Sequence, residues 1–465
     1  MIVYGDHPRA TTLAVLHAAA AARLSDARAA SRGLARHGAL VATFVAWAEL
    51  TRAAADAAFA EHGRDRADPS LDAAMAVLVR PARAVAVSWR SRFRRTPLPA
   101  LGPAPAERTV TTKSAQVFAF YALYPEAVFE AAARLAPARD TRILCLRVIG
   151  TALAAMVAAA LRSPEGPATL RPVGHPFARR IVAAPPTPSA RALVVDEGPG
   201  LSGSSLAAAV SWLGSSGTPP RHVTLLTSHP HLPRAMASPD TLALWRGCGR
   251  CWADFEATIL PRLPYWVASL LGEPFTAWQD LSAGAWTRTL PTDPPRKRRK
   301  YLATTATRRY LVKFAGLGEI GAAKLAHAHA NAALSLVPEP IGLAHGFLVE
   351  RWIEPRPPAV PTPAELARYL AARAALAPPN PSASLATLIA MAHANIAEAL
   401  GSGAAAAFAF AARVSGMEAT PGNAVAVDAR LHAWEWLRDA NGHLLKADAL
   451  DHCEGHDLIG YQDIA

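Results

Sequence analysis

Residues 193–206 read LVVDEGPGLSGSSL, and the order of residue types along this stretch decides the architecture around it. Leu193, Val194 and Val195 make an unbroken apolar run, the pattern of a strand buried on both faces in a parallel sheet. Asp196 and Glu197 set two carboxylates side by side where that strand ends. Small residues follow, and the chain then enters AAAVSWL, whose alanines favour helix. A Gly/Ser loop at a helix start presents backbone N–H groups and the positive end of the helix dipole, which together hold a phosphate. The acids beside it can accept hydrogen bonds from sugar hydroxyls or carry a magnesium-bearing group. Both surfaces in one turn predict a site for a phosphorylated sugar. Other phosphate loops fit less well, since no GKS or GKT follows the glycines and GxGxxG is missing from the turn. The competing reading is an ordinary strand-to-helix turn rich in Gly and Ser.

From about residue 105 to 295 short apolar strands alternate with helices, the signature of an α/β domain with a parallel sheet. Strands are predicted at 142–148, 192–195 and 222–226. A second strand-turn-helix lies upstream in LRVIGTALAAMVAAAL, where a strand reaches Gly150 and Thr151 and a helix begins. Lys113, Tyr121 and Tyr124 on one side, and His175, Arg179 and Arg180 on the other, are further candidates for specificity. Cations there would stabilise charge developing on an anionic leaving group; the alternatives are core tyrosines and solvated arginines.

The 193–206 stretch resembles the phosphoribosyl-pyrophosphate (PRPP) loop of the type I phosphoribosyltransferases, in which a hydrophobic strand precedes two acids and a Thr/Ser-Gly phosphate loop. The resemblance implies that Asp196 and Glu197 contact the ribose hydroxyls. It also implies that Gly200, Ser202, Gly203, Ser204 and Ser205 wrap the 5′-phosphate. Here the second acid is Glu, serines replace the usual threonines, and the loop is about one residue longer. The same family carries an upstream turn that meets the pyrophosphate, which implies that role for Gly150 and Thr151, with Arg147 as charge partner.

The whole chain has 465 residues, of which 51% are hydrophobic, enough for several cores and for two to four domains. Its longest apolar run, 148–161, is shorter than the about 20 residues a membrane-spanning helix needs. The first residues, MIVYGDHPRA, lack the features of a leader, so a cytoplasmic protein is expected. Four cysteines (Cys145, Cys248, Cys251, Cys453) build no disulfide framework. His229, His231, Cys248 and Cys251 offer zinc-ligand chemistry without a diagnostic spacing. The net charge of +12 is spread widely. Its one dense cluster, RKRRK at 296–300, follows a Pro-rich segment and reads either as a contact for nucleic acid or an anionic ligand or as a solvated linker; the linker is the expectation, with no interleaved aromatics to stack bases. Nucleic acid is therefore not an expected partner, and neither is a membrane.

Residues 1–104 read as helical, with Leu40, Phe44, Trp47 and Leu50 at spacings of three and four, and they end in a Pro/Gly-rich break. After the basic cluster the pattern changes. RRYLVKFAGLGEIGAAK is a strand carrying a lysine and then a turn, PEPIGLAHGFLVERWIE is a β-pair, and helices are expected at 363–376 and 385–400. This order resembles the aminoglycoside phosphotransferase and choline kinase branch of the protein-kinase-like fold. The resemblance implies a strand lysine for nucleotide phosphates at Lys313, a hinge at Glu350 to Trp352, a catalytic-loop carboxylate at Asp428 and a metal-binding carboxylate at Asp448. No Gly-rich loop precedes Lys313, and Ala433 stands where the family places a metal-binding Asn, with Glu435 or Asp451 as substitutes. The second lobe of such a fold is expected to be incomplete.

The expected protein is thus an α/β and α+β multidomain chain: helical to 104, phosphoribosyltransferase-like over 105–295, and bilobal kinase-like over 301–465. Its expected chemistry is transfer of ribose 5-phosphate from PRPP to a small-molecule acceptor, with Mg2+ and release of pyrophosphate. A second, ATP-dependent phosphotransfer would sit in the kinase-like part. The alternative is a non-catalytic sensor of PRPP or nucleotide that gates the kinase-like part. The acceptor and the oligomeric state are not legible.

Overall fold

The computed structural model describes residues 9–112, 118, 121–135, 141–147, 149–163, 166–184, 189–200, 202–233, 236–282, 299–354, 360–376, 385–415 and 431–450. They divide into two compact units, one built on Pro8–Val267 with Gly316–Glu319, the other on Ala268–Ala315 and the chain from Ile320 onward.

The first unit opens with strand β1 (Arg9–Thr12) and three helices, α1 (Leu13–Ala29), α2 (Leu34–His62) and α3 (Pro69–Arg90). Local chemistry places their ends. The Thr12 hydroxyl accepts from the Val15 amide, Asp68 accepts from Ser70 with Pro69 in the first turn, and α2 stops at Gly63 in the left-handed region, φ 65°. Strand β2 (Thr109–Thr112) pairs antiparallel with β1, so the segment after the proline-rich break returns to the chain's beginning. His37 on α2 joins Ser88 of α3 through Nδ1 (2.9 Å) and Glu126 through Nε2 (2.7 Å), and all three are fully buried. Glu126 lies on α4 (Pro125–Arg134).

A five-stranded sheet follows: β3 (Thr141–Leu146), α5 (Gly150–Leu161), β4 (Ala168–Leu170), a small antiparallel pair β5 (Pro172–Val173) and β6 (Arg180–Ile181), then β7 (Arg191–Val195), α6 (Ser204–Gly214), β8 (Val223–Thr227), α7 (Pro239–Gly247) and β9 (Gly249–Trp252). Strand order is β4-β3-β7-β8-β9, parallel throughout. The chain starts on β3, steps to one side for β4 and returns to the other for β7. The direction of winding therefore reverses between β3 and β7, and in open α/β sheets ligands bind beyond the strands' carboxyl ends at such a reversal. Helix α5 is apolar on every side and buried from Gly150 to Ala159, sandwiched between the sheet and the helices α2, α3 and α4. The sequence reading separated residues 1–104 from this sheet; the structure puts them in one compact unit. The unit closes with α8 (Phe255–Thr258) and α9 (Leu263–Leu271), within which the division between units falls.

The second unit is an antiparallel sheet of β10 (Phe275–Asp280), β11 (Lys300–Thr305), β12 (Arg309–Phe314), β13 (Pro340–Ala344) and β14 (Phe347–Arg351), in the order β10-β11-β12-β14-β13. Helix α10 (Gly318–Ala333) links β12 to β13. Helices α11 (Pro363–Ala374), α12 (Leu385–Leu400) and α13 (Ser402–Val414) and a hairpin of β15 (Trp436–Arg438) and β16 (Leu444–Lys446) follow. Period-two alternation divides the sheet. One face buries Tyr301, Val312, Phe314, Phe347 and Val349, while Lys300, Lys313, Leu348 and Glu350 share the other by register. Strand β10 falls within 105–295, the span expected for the preceding domain, but belongs to this sheet through its pairing with β11. Among the described residues no helix is long and apolar enough to cross a membrane.

Candidate functional site

In the first unit the two predicted turns meet. A Cβ on Gly150 would stand 2.5 Å from the Val195 carbonyl oxygen and 3.2 Å from Cys145 Cβ, so the first turn of α5 touches the end of β7 and only glycine fits there. Gly150 and Thr151 thus lie beside Asp196 at the reversal of winding. The Asp196 amide donates to Leu226 O (3.1 Å) and the Ser228 amide to Glu197 O (2.6 Å), which extends the ladder through both acids and fixes their backbone. The imidazole of His229 lies over Gly198, with Nε2 3.1 Å from where a Cβ would be. His229 Nδ1 accepts from the His231 amide at 3.3 Å, which leaves the proton of a neutral ring on Nε2.

Burial raises both acids. The Asp196 carboxyl is pushed up to about 8 by desolvation, with the Glu197 charge adding to it, and Glu197 is pushed up to about 7 by desolvation. Each still keeps partial contact with solvent. The sign of the linkage follows. The folded chain holds protons that the unfolded chain releases, so stability falls as pH rises from 3.8 to about 8. The Asp196→Asn/Glu197→Gln variant, free of that burden, is expected to gain about 1–3 kcal/mol at pH 8 after allowance for solvent contact, with no gain near pH 4. Thermal melts across that range check this; a gain that grew toward acid would sink it.

The Gly/Ser loop expected to hold phosphate begins at Gly200 (φ 56°) and turns at Gly203 (φ 71°), where a side chain would overlap the Pro233 ring and stand 2.8 Å from Trp245 Nε1. Its serines differ in what they face. The Ser202 and Ser204 hydroxyls donate to the Pro176 carbonyl, at 2.9 and 2.7 Å, and both residues are buried. Ser205 keeps partial exposure. The loop is thereby fastened to the turn that carries His175 and Arg179, between β5 and β6.

Arg147 lies at the end of β3 as predicted, but its charge is engaged from the helical side. Nη2 bonds Asp65, Nε stands 3.1 Å from Asp56 Oδ1 on α2, and the side chain is fully buried. Burial pushes the Asp65 carboxyl up against the opposing pull of Arg147. Asp56 also takes Arg171 at 2.6 Å. Arg147 is therefore held by two carboxylates that the sequence reading did not connect with it. Tyr124 is fully buried and Tyr121 is exposed, while Lys113 lies outside the described residues. Among the described residues His229, His231, Cys248 and Cys251 do not converge as a metal-ligand group. Burial pushes the Cys145 thiol up to about 12 and Cys248 up to about 11, so neither is a ready thiolate.

In the second unit Lys313 and Asp448, far apart in sequence, come together with Lys313 Nζ 4.0 Å from Asp448 Oδ1. Lys313 also pairs with Glu350 Oε2 at 3.2 Å, both side chains being almost fully buried. Glu350 was expected in a hinge; its carboxylate instead lies on the lysine's own sheet face, one strand away. Trp352 follows at the strand's end with the Arg309 guanidinium 5.5 Å from its ring centroid. Asp448 is positioned by its neighbours. Ala449 and Leu450 are buried in two separate apolar clusters, and the Ala449 carbonyl accepts from Arg373 Nη1 (3.3 Å), which also donates to Asn331 Oδ1 (3.1 Å). Burial, with the Arg373 charge adding to it, pushes nearby His327 down to about 4. Glu435, a substitute metal ligand by sequence, is committed to the buried Lys446 at 2.6 Å. Asp428 and Asp451 lie outside the described residues. No local pattern in the sequence marks Arg373, Asn331 or Lys300, whose Nζ stands 3.4 Å from Asp448 Oδ2.

No protein-family profile matches the chain, and no curated protein matches it. Solved structures do. The choline kinase LicA from Streptococcus pneumoniae is 18% identical with a TM-score of 0.29, over 41% of this chain and 68% of that one. The complex of LicA with AMP matches over the same shares, at 16% identity and a TM-score of 0.29. The spectinomycin phosphotransferase APH(9)-Ia, solved with ADP and spectinomycin, is 12% identical with a TM-score of 0.24, over 43% of this chain and 71% of that one. Scores this low establish no common fold, so the functional reading rests on the side chains.

Proposed function

We propose that the second unit binds a magnesium nucleotide at Lys313 and Asp448 and serves as a kinase-like phosphotransferase for a small molecule. The approach of that lysine to that carboxylate carries the reading. Phosphoryl transfer needs a buried cation to neutralise nucleotide phosphates and a carboxylate oxygen to hold the metal, and a hard oxygen donor suits Mg2+. Bound magnesium would draw charge from the transferring phosphate. Arg373, Asn331 and the buried Ala449 and Leu450 keep Asp448 in place for it. Asp428 is the proposed acceptor-orienting carboxylate.

A second reading belongs to the first unit: a PRPP-dependent phosphoribosyltransferase that releases pyrophosphate, or, without turnover, a PRPP sensor. The contact of the Gly150 turn with Val195, beside two acids at the reversal of winding, favours a phosphorylated-sugar site there. Asp196 and Glu197 would accept from ribose hydroxyls or hold magnesium, and the Gly200–Ser205 amides would hold the phosphate. Arg147, gripped by Asp56 and Asp65, is less available to a diphosphate than the sequence suggested.

Calorimetric titration of the whole protein with MgATP, and separately with Mg2+ and PRPP, tests both. MgATP is expected to bind with micromolar to millimolar affinity. PRPP binding that the Asp196→Ala/Glu197→Ala variant loses would support the second reading. Protein that binds neither ligand would leave the Lys313–Asp448 pair and the first unit's turns structural.

A further inference from the structure

Lys300 is the last residue of the basic run at 296–300, and the structure gives it a partner that a solvated linker would not have. It opens β11 directly opposite Lys313 on β12. Its backbone is pinned in register, since its amide donates to Ser282 Oγ (2.8 Å) and its carbonyl accepts from the same hydroxyl (3.2 Å). The two side chains reach the same carboxylate from different sides, Lys300 at Oδ2 (3.4 Å) and Lys313 at Oδ1 (4.0 Å) of Asp448. Their environments differ. Lys313 is 3% exposed and already balanced by Glu350, whereas Lys300 is 33% exposed and Asp448 21%. Among the described residues two lysines thus face two carboxylates here, with Lys300 and Asp448 on the side more open to solvent.

We infer that Lys300 is a second phosphate-binding lysine, which with Lys313 releases Asp448 to a divalent cation and takes the nucleotide phosphates in exchange. This rests on the nucleotide reading above. A cation arriving at Asp448 alone must displace or approach two ammonium groups, which disfavours it. A cation arriving with a polyphosphate brings the anion those groups then need, so metal and nucleotide bind better together than apart. The pair also supplies charge that a Gly-rich loop would otherwise provide through backbone amides, and no such loop precedes Lys313 in sequence.

The test compares the intact protein with Lys300→Met, Lys300→Arg and Lys313→Ala, using a fluorescent ATP analogue with Mg2+ and, separately, Mn2+ alone followed by electron paramagnetic resonance. Lys300→Met is expected to bind MgATP at least tenfold more weakly and Mn2+ alone about threefold to tenfold more tightly, opposite signs that a merely structural ion pair would not produce. Lys300→Arg is expected to restore most nucleotide affinity. Nucleotide affinity within twofold of the parent in Lys300→Met, with Lys313→Ala impaired, would overturn the inference and leave the nucleotide reading standing. Unchanged or weaker Mn2+ binding in Lys300→Met would overturn the exchange. A parent protein that binds no MgATP at millimolar concentration would overturn both.

Discussion

Lys313→Met is expected to cost the second unit about 3 kcal/mol of stability and to weaken MgATP binding at least tenfold, and a companion variant separates the two effects. The lysine and Glu350 are an almost fully buried pair at 3.2 Å. Removing one partner leaves the other charge in a low-dielectric interior, which typically costs about 3–5 kcal/mol, whereas replacing both by neutral groups of similar size is often close to neutral. Lys313→Met/Glu350→Gln should therefore melt close to the parent and, on the proposed function, still fail to bind nucleotide. Recovery of nucleotide affinity along with stability in the double variant would show that the lysine acts only through folding. Asp448→Asn should retain the fold, since Ala449 and Leu450 remain anchored, and lose the magnesium dependence of nucleotide binding.

Gly150→Ala is expected to lower the melting temperature of the first unit by about 5–15 °C, a loss of about 2–4 kcal/mol. The atom it meets is backbone: Val195 O would lie 2.5 Å from the new Cβ, and neither a strand carbonyl nor a buried helix can move aside cheaply. Relief would require α5 to shift from β7, which would also part the Gly150 turn from Asp196. Gly214→Ala, at the end of α6 with nothing within 4 Å of its added carbon, is the control and should be neutral or slightly stabilising. Differential scanning calorimetry reads both; a Gly150→Ala melt within 2 °C of the parent would contradict the close approach seen here.

Local signals in the sequence located what depends on local pattern. The apolar run Leu193–Val195 was legible as a buried parallel strand, and the hairpin of β13 and β14 was legible as a β-pair in PEPIGLAHGFLVERWIE. Lys313 could be named through the resemblance of its surrounding element order to the kinase-like families, since a strand lysine by itself reads as an edge or snorkelling residue. Pairings at long range left no such trace. The β1–β2 pair joins RATT to TVTT across three helices, and neither tetrapeptide has the length or alternation of a recognisable strand. Strand β10 is largely exposed, so its residues show no buried period, and only its ladder with β11 assigns it to the second sheet. The sites show the same limit. Asp196, Glu197 and the glycines could be named because they are contiguous. The acids that engage Arg147, the carbonyl that takes the loop serines and the second lysine on Asp448 come from segments that nothing local connects. Charge in a run such as RKRRK gives no hint that its last member is the start of a strand.

The grip of Asp56 and Asp65 on Arg147, together with the buried contacts of His37 to Ser88 and Glu126, bears on how this chain could have been assembled. Polar bonds in a core are kept only when both ends are present, because either end alone is a buried charge or an unmet donor. The helices before residue 104 and the parallel sheet after it therefore cannot have been exchanged independently: a recombination event that brought in the sheet without the helices would have left an uncompensated arginine at the carboxyl edge of its strands. By that measure the heritable module is the first unit taken whole, and the proline-rich stretch at its middle, which reads as a seam, lies inside it.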